Sequence, residues 1–196
     1  MPDLTPRPAA SRPASRAKPR LARFWRDRRG VSAVEFALIA PVLILFYFGM
    51  DQLTEAMMAQ RRLSLLTSSI GDVVARDTQL TDARLADVFK VGTVLMAPFT
   101  TSTLRMCLVS VASDATGRDV VVWSEKSNSP ANCPAAGAVL TTIPTSVLPA
   151  SQSVIMSKAS YDYSFPFTFI TPNSVTFRRT YYLRPRLSDQ VTRVAS

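Results

Sequence analysis

Residues 28–52 of this 196-residue chain read RRGVSAVEFALIAPVLILFYFGMDQ. The run from Val31 to Met50 is almost wholly apolar. As a helix its 20 residues span about 30 Å, the thickness of one hydrocarbon core. Residues 36–50 carry no charge, so the run lacks the polar stripe of a surface helix. The sequence therefore predicts a transmembrane helix over residues 31–50.

The segment before this helix holds most of the chain's positive charge. Residues 1–29 contain nine Lys or Arg and two Asp, a net charge of +7, whereas the whole chain carries +9. Their Pro, Ala, Ser and Arg composition predicts a disordered leader. Because Lys and Arg beside a span stay on the cytoplasmic side, we expect a cytoplasmic N-terminus and an extracytoplasmic domain over residues 51–196. A nucleic-acid-binding leader is the alternative, and it requires the membrane interpretation to be wrong.

Glu35 is the unusual residue of the apolar run. A carboxylate at membrane depth is costly and indicates a function. A secretory signal peptide has no reason to contain it, and the best cleavage candidate, Thr54-Glu55-Ala56, fits an A-x-A-like site poorly. A plain signal-anchor helix, with Glu35 paired to Arg28 or Arg29, remains open.

Arg28-Arg29-Gly30, with Glu35 at the fifth position after the glycine, resembles the type IV prepilin cleavage motif. The resemblance implies that a prepilin peptidase cuts between Gly30 and Val31 on the cytoplasmic side. Val31 would then carry a free amine one helical turn before Glu35. In a bundle of such helices, the carboxylate of one subunit can neutralise the terminal ammonium of its neighbour.

The segment GVSAVEFALIAPVLILFYFG, residues 30–49, is similar to the start of TadE-like proteins, the pseudopilins of tight-adherence (Tad, Flp-type) pilus systems. Within it, Pro41 removes a helix hydrogen bond and predicts a kink. FRRTYYLRPRLS, residues 177–188, is similar to the end of that family. The absence of a D-x-S-x-S metal motif favours TadE-like over TadG-like proteins, which have a von Willebrand-type domain.

The resemblance implies a structural subunit of the bacterial inner membrane and not an enzyme. Its expected partners are the membrane, the prepilin peptidase and other pilin-like subunits, and assembly would be driven by a separate ATPase. No nucleic acid, small-molecule substrate, cofactor or metal is expected. The other reading is an unprocessed single-pass protein whose outer domain binds an envelope partner.

The pattern beyond the membrane predicts an α+β domain of pilin-like architecture. Apolar residues at three- and four-residue steps extend the first helix from Val31 to about Asp77, with a break near Gly71 as the alternative. Thr81 is a predicted N-cap for a second helix through about Leu95. These helices are expected to cover one face of an antiparallel sheet of about four strands.

Four segments predict the strands of that sheet. Residues 104–112 and 118–125 have the pattern of a β-hairpin, and a loop is expected over residues 127–150. In residues 153–170 and 174–184 the side chains alternate in character along the chain, as in a strand with two different faces. Five aromatic residues share one face of the third segment, and we favour a packed sheet face over a ligand platform for them: Tyr161, Tyr163, Phe165, Phe167 and Phe169.

The cysteine, histidine and charged-residue content limits the chemistry that this chain can perform. Cys107 and Cys133 are expected to form a disulfide if the domain is extracytoplasmic, and otherwise stay unpaired. The chain has no histidine, which excludes Ser-His-Asp and Cys-His catalysis and the common zinc sites. The pairs Asp51/Glu55 and Asp72/Asp77 are interpreted as solvated helix surface. A second basic cluster is predicted at Arg178, Arg179, Arg184 and Arg186. Lipid headgroups or an acidic partner could meet it, and a solvated strand end is the equally favoured alternative.

Overall fold

The computed structural model describes residues 30–130, 132–166 and 173–194. The predicted leader over 1–29, and Phe167 and Phe169 of the aromatic series, lie outside the described residues. The chain divides into two compact units, residues 1–47 and 48–196. Its elements are, in order, α1 (Val31–Ala75), β1 (Gln79–Leu80), α2 (Asp82–Leu95), β2 (Arg105–Ser113), β3 (Asp119–Ser127), β4 (Val139–Leu140), β5 (Ser153–Ser164), β6 (Ser174–Leu183) and β7 (Thr192–Arg193).

Helix α1 is 45 residues long and continues through both Pro41 and Gly71. The predicted long helix is therefore confirmed, and the alternative with a break near Gly71 is wrong. From Gln52 onward one side of the helix is buried in the domain, and Leu63, Leu66 and Ile70 are fully buried. Their spacing of three and four residues places them on a single helix face. The kink at Pro41 stays a prediction.

Helix α2 begins where the capping pattern predicts. The backbone N–H of Arg84 donates to Thr81 Oγ1 at 3.3 Å, which satisfies one of the free donors of the first turn. Asp82 places a negative charge in the same turn, where the helix dipole favours it. Leu85 and Val88 are buried against the core, so this helix covers the sheet together with α1.

The main sheet has five antiparallel strands in the order β4-β3-β2-β5-β6, rather than about four. The additional strand, β4, lies inside the predicted loop and pairs Val139 and Leu140 with Val120 and Asp119. A two-residue strand is too short to show alternation, so sequence periodicity could not reveal it. A separate parallel pair joins β1 to β7.

Both faces of the sheet are covered, but by different parts of the chain. One face packs on α1 and α2 through Leu108, Ile155 and Tyr161 among others. The opposite face carries Cys107, Val109 and Met156, which pack with Ile143 and Leu148 of the long β4–β5 connection. Each fully buried aliphatic side chain contributes about 1.5–3 kcal/mol. The predicted arrangement, with both helices on one face of the sheet, is thus confirmed.

A β-bulge lies at Val122. Ser110 pairs with Trp123, whereas Val111 pairs with Val121, so one extra residue stands in β3. Because side chains alternate along a strand, the extra residue lets Trp123 face the helices while Val121 faces the loop. Trp123 is buried there and its Nε1–H donates to the carbonyl of Val191 at 2.7 Å.

The described members of the aromatic series belong to the helix-side core, as the packed-face interpretation predicted. Tyr161 and Tyr163 are buried, and Phe165 packs against them from the end of the strand. The Tyr163 and Phe165 rings meet edge to face with their centroids 5.1 Å apart. Such contacts stabilise by about 0.5–1.5 kcal/mol beyond the area they bury.

The predicted disulfide is present between Cys107 of β2 and Cys133 of the β3–β4 connection, with the Cα atoms 5.8 Å apart. It ties the connection to the sheet face opposite the helices.

We expect Gly71→Val to destabilise the outer domain by about 2–3 kcal/mol, because the core there has no room for a side chain. A Cβ at Gly71 would lie 2.5 Å from Leu183 Cδ1 and 3.0 Å from Ser157 Cβ. Gly49→Val is the matched control, since a Cβ there meets nothing within 4 Å. Urea unfolding of both variants in detergent measures the difference; equal stabilities would contradict this packing.

Reduction of the disulfide is expected to cost about 2–5 kcal/mol of unfolding free energy. The Cys107→Ala/Cys133→Ala double variant should match the reduced protein and show no response to reductant. Urea unfolding with and without reductant gives the comparison. If the urea midpoint of the wild-type protein did not change on reduction, other contacts would hold the β3–β4 connection in place.

Candidate functional site

The predicted processing and alignment residues lie together at the start of α1. Gly30 directly precedes the helix and Val31 is its first residue. Glu35 follows one turn later, about 6 Å along the axis, and its side chain is exposed. Pro41 lies on the same helix, whereas Cys107 and Cys133 belong to the outer domain.

The first half of α1 presents apolar side chains on all sides. Residues 42–46 are five consecutive large apolar residues, each more than half exposed. Five residues cover more than one full turn, so the apolar surface surrounds the helix and does not form a stripe. The helix is long and apolar enough to span a membrane. An exposed apolar surface of this kind is typical of a segment that meets lipid or other apolar helices.

The environment of α1 changes just after Met50. Gln52 and Ala56 are buried at 1% and 5% exposure, whereas Phe46 is 67% exposed. Near this change the hydroxyl of Tyr163 donates to Glu55 Oε2 at 3.2 Å. Burial, and secondarily the contact with Glu55, raises the pKa of Tyr163 to about 12. Glu55 therefore joins the helix to the end of β5 and is not simply a solvated carboxylate.

Asp72 and Asp77 are also bound by partners. Asp72 accepts hydrogen bonds from Arg76 and Arg186, both at 2.6 Å, and Asp77 accepts from Arg84 Nε at 2.9 Å. The guanidinium groups are about half exposed, so each pair contributes about 0–1 kcal/mol. These carboxylates connect α1 to α2 and to the C-terminal segment, which is a structural role.

The arginines from 178 to 186 do not form the single basic cluster that the sequence predicted. Arg179 faces the helices, where its Nε–H donates to Ser64 Oγ at 2.9 Å, and Arg186 pairs with Asp72. Arg178 lies on the opposite sheet face because adjacent strand residues alternate. It lines a groove of about 620 Å³ together with Arg105 and Lys158. We call this surface the basic groove.

The basic groove contains one internal ion pair. Arg105 Nη1 donates to Asp162 Oδ2 at 2.7 Å, and Thr176 Oγ1 donates to Asp162 Oδ1 at 2.7 Å. Both contacts lower the pKa of Asp162. Lys158 Nζ donates to the carbonyl of Asn132 at 3.3 Å, and burial lowers the pKa of this lysine. Sequence reasoning missed the groove because its cations come from three separate strands.

Within the described ranges, no group of three or more Asp, Glu or Cys residues is placed to hold a metal ion. The arrangement offers a lipid-compatible helix with one ionisable side chain near its start, and a basic surface on the outer domain. Both features suit binding and assembly.

Comparison with known proteins identifies one family. The family model described as TadE-like protein matches residues 30–69, which is 40 of the 196 residues. The match begins at Gly30 and includes the whole apolar run, and it confirms the resemblance predicted from that segment. It does not reach residues 177–188, whose resemblance stays a prediction. Neither the curated proteins nor the solved structures show a significant similarity to this chain.

Proposed function

We propose that this chain is a minor pilin, or pseudopilin, that takes part in assembly of a tight-adherence (Flp-type) pilus. It acts as a structural subunit of the bacterial inner membrane and not as an enzyme. The observation that carries the proposal is the family match over residues 30–69, on a helix whose first half is apolar on every side.

Processing by a prepilin peptidase after Gly30 is the first part of the mechanism. Gly30 is exposed, and among the described residues no atom beyond its chain neighbours and the adjoining helix backbone lies within 4 Å of the position a Cβ would take, which supports access to the peptide bond with Val31. Cleavage there removes the basic leader and leaves a terminal ammonium on the first residue of α1.

Alignment between subunits is the second part. An ammonium at Val31 and the carboxylate of Glu35 are both costly in hydrocarbon when unpaired. When two α1 helices pack side by side, the carboxylate of one subunit can pair with the ammonium of the other. Removing one partner of such a buried pair costs about 3–5 kcal/mol, which favours one axial register.

Two independent observations support the proposed membrane topology. The +7 leader favours retention of the N-terminus in the cytoplasm. The disulfide between Cys107 and Cys133 suits an oxidising compartment, which supports a periplasmic location for the outer domain. Both arguments give one pass with the same orientation.

The second candidate is an unprocessed single-pass protein whose outer domain binds an envelope partner. The basic groove favours it as much as it favours a pilin, since the groove is a binding surface in either case. Processing after Gly30 separates the two.

The mature N-terminus is the deciding measurement. Mass spectrometry of the protein from cells with a prepilin peptidase is expected to show a start at Val31, and from cells without it an intact leader. Gly30→Arg should block cleavage in the first strain, because the peptidase must accommodate a long charged side chain at the cleaved residue. An intact leader in both strains would contradict the pseudopilin mechanism and would leave residues 31–50 as a permanent anchor.

Glu35→Gln is expected to leave cleavage and membrane insertion intact, but to reduce co-purification of other pilin-like subunits at least about tenfold, because the register-setting pair is lost. Asp51→Asn is the matched control, since it removes an acidic charge just beyond the apolar run. Equal co-purification by both variants would show that Glu35 has no role in alignment.

A further inference from the structure

The basic groove is built on two rows of side chains that cross three strands. Strand pairing aligns Arg105 of β2 with Ser160 of β5, and Ser160 with Arg178 of β6. The next row on the same face holds Cys107, Lys158 and Thr180. Neighbouring strands lie about 4.8 Å apart, so the two arginines stand about 10 Å apart at their Cα atoms. The register therefore places three cations on one patch of the sheet.

The patch carries a surplus of positive charge. Arg105 is paired with Asp162, and the charge of Arg178 also helps to lower the pKa of this carboxylate, whereas Lys158 forms no ion pair with any described residue. Three cations therefore face a single carboxylate. Lys158 is partly buried, and an ammonium in such a place gains more from a counter-charge than one in open water. Ser129, Pro130 and Asn132 form one wall of the groove, and the disulfide at Cys133 holds that wall to the sheet.

The groove adjoins an unpaired sheet edge. β6 is the last strand of the sheet, and within the described residues its ten-residue backbone makes ladder hydrogen bonds to β5 only. At the other end of the sheet only the start of β3 is covered: β4 pairs with Asp119 and Val120, and Val121 exchanges hydrogen bonds with Gly137 and Ala138. The basic groove lies at the β6 end, so that is the free edge next to it. A long free edge is a template for another strand.

We propose that the basic groove and the outer edge of β6 bind an extended acidic segment of another protein, which adds to the sheet as a strand with carboxylates at alternate positions. Side chains along a strand alternate, so every second residue of the added strand faces the groove. One such residue stands opposite Arg178 with about 5 Å between the Cβ atoms, which suits a carboxylate. The next, opposite Thr180, brings a second carboxylate toward Lys158.

An anionic lipid surface fits this site less well than an added strand. Lipid headgroups bring charge to the groove but cannot complete the hydrogen-bond ladder that the free edge of β6 offers.

A second copy of this chain also fits less well than an acidic partner. β6 contains Arg178 and Arg179 and no acidic residue between Ser174 and Leu183. Edge-to-edge pairing of two copies would add like charges to one sheet, and like charges on facing strands are destabilising.

The test uses the full chain in detergent micelles and a labelled ten-residue peptide of alternating Glu and Val, with an alternating Lys–Val peptide as the control probe. Fluorescence anisotropy is expected to show binding of the Glu–Val peptide only, weakened at least about tenfold in 0.5 M salt. Hydrogen exchange of β6 amides should slow when the peptide binds, since strand addition protects them.

Arg178→Glu is expected to weaken Glu–Val binding at least about tenfold. Arg184→Glu is the matched control, because it makes the same charge change at an exposed arginine outside the groove, and it should retain affinity within about twofold. If Arg178→Glu fails to fold, Lys158→Gln gives the same test with a smaller loss.

Four results would overturn the proposal. These are no binding of the Glu–Val peptide, equal binding of both peptides, equal affinity in wild type and Arg178→Glu, and binding without protection of β6. Preferential binding to vesicles containing anionic lipid would instead assign the groove to lipid, and self-association lost in Arg178→Glu would assign it to a second copy. None of these results depends on whether Gly30 is cleaved, so this proposal and the proposed function fail separately.

Discussion

The packing of the second half of α1 on the β-sheet is the interaction on which the α+β domain depends. At its centre Gly71 lies so close to Ser157 and Leu183 that a Cβ would overlap them. Beside it the Ser157 hydroxyl donates to the carbonyl of Thr67 at 2.7 Å in a fully buried position. The close approach of α1 to the sheet brings Leu66 and Ile70 into the core with Leu108 and Ile155. α2 then covers the remaining part of the same face, so the core depends on α1 remaining against the sheet.

The two halves of α1 have different surroundings. Before Met50 large apolar side chains are exposed around the helix, whereas from Gln52 onward the domain buries one face and leaves Leu53, Met57, Met58 and Leu65 exposed. A change of this kind is typical of a helix that runs from lipid into a protein core, which is the arrangement that the proposed function requires.

The two faces of the sheet have separate tasks. The face toward the helices is apolar, with the buried hydroxyls of Ser157 and Tyr163 bonded to α1. The other face is apolar near Val109 and Met156, where the β4–β5 connection covers it, and becomes basic near Arg105 and Arg178. Strand alternation separates the two faces within adjacent residues: the Arg179 side chain contacts α1, whereas the Arg178 side chain lies on the face of the basic groove. One neighbouring pair therefore supplies one side chain to the domain interior and one to the proposed binding surface.

Features that depend on short stretches of chain followed from the sequence alone. Local patterns can be recognised because helix and strand periods repeat within a few residues. Such patterns predicted the apolar run from Val31, the length of α1, the Thr81 cap, the hairpin after β2 and the candidate residues Gly30, Val31 and Glu35. The tertiary structure decided what depends on pairing between distant strands: the short β4, the bulge that turns Trp123 toward the helices, and the assembly of Arg105, Lys158 and Arg178 into one surface. These residues are separated by up to 73 positions, and only the strand register, set by the whole core, brings them side by side.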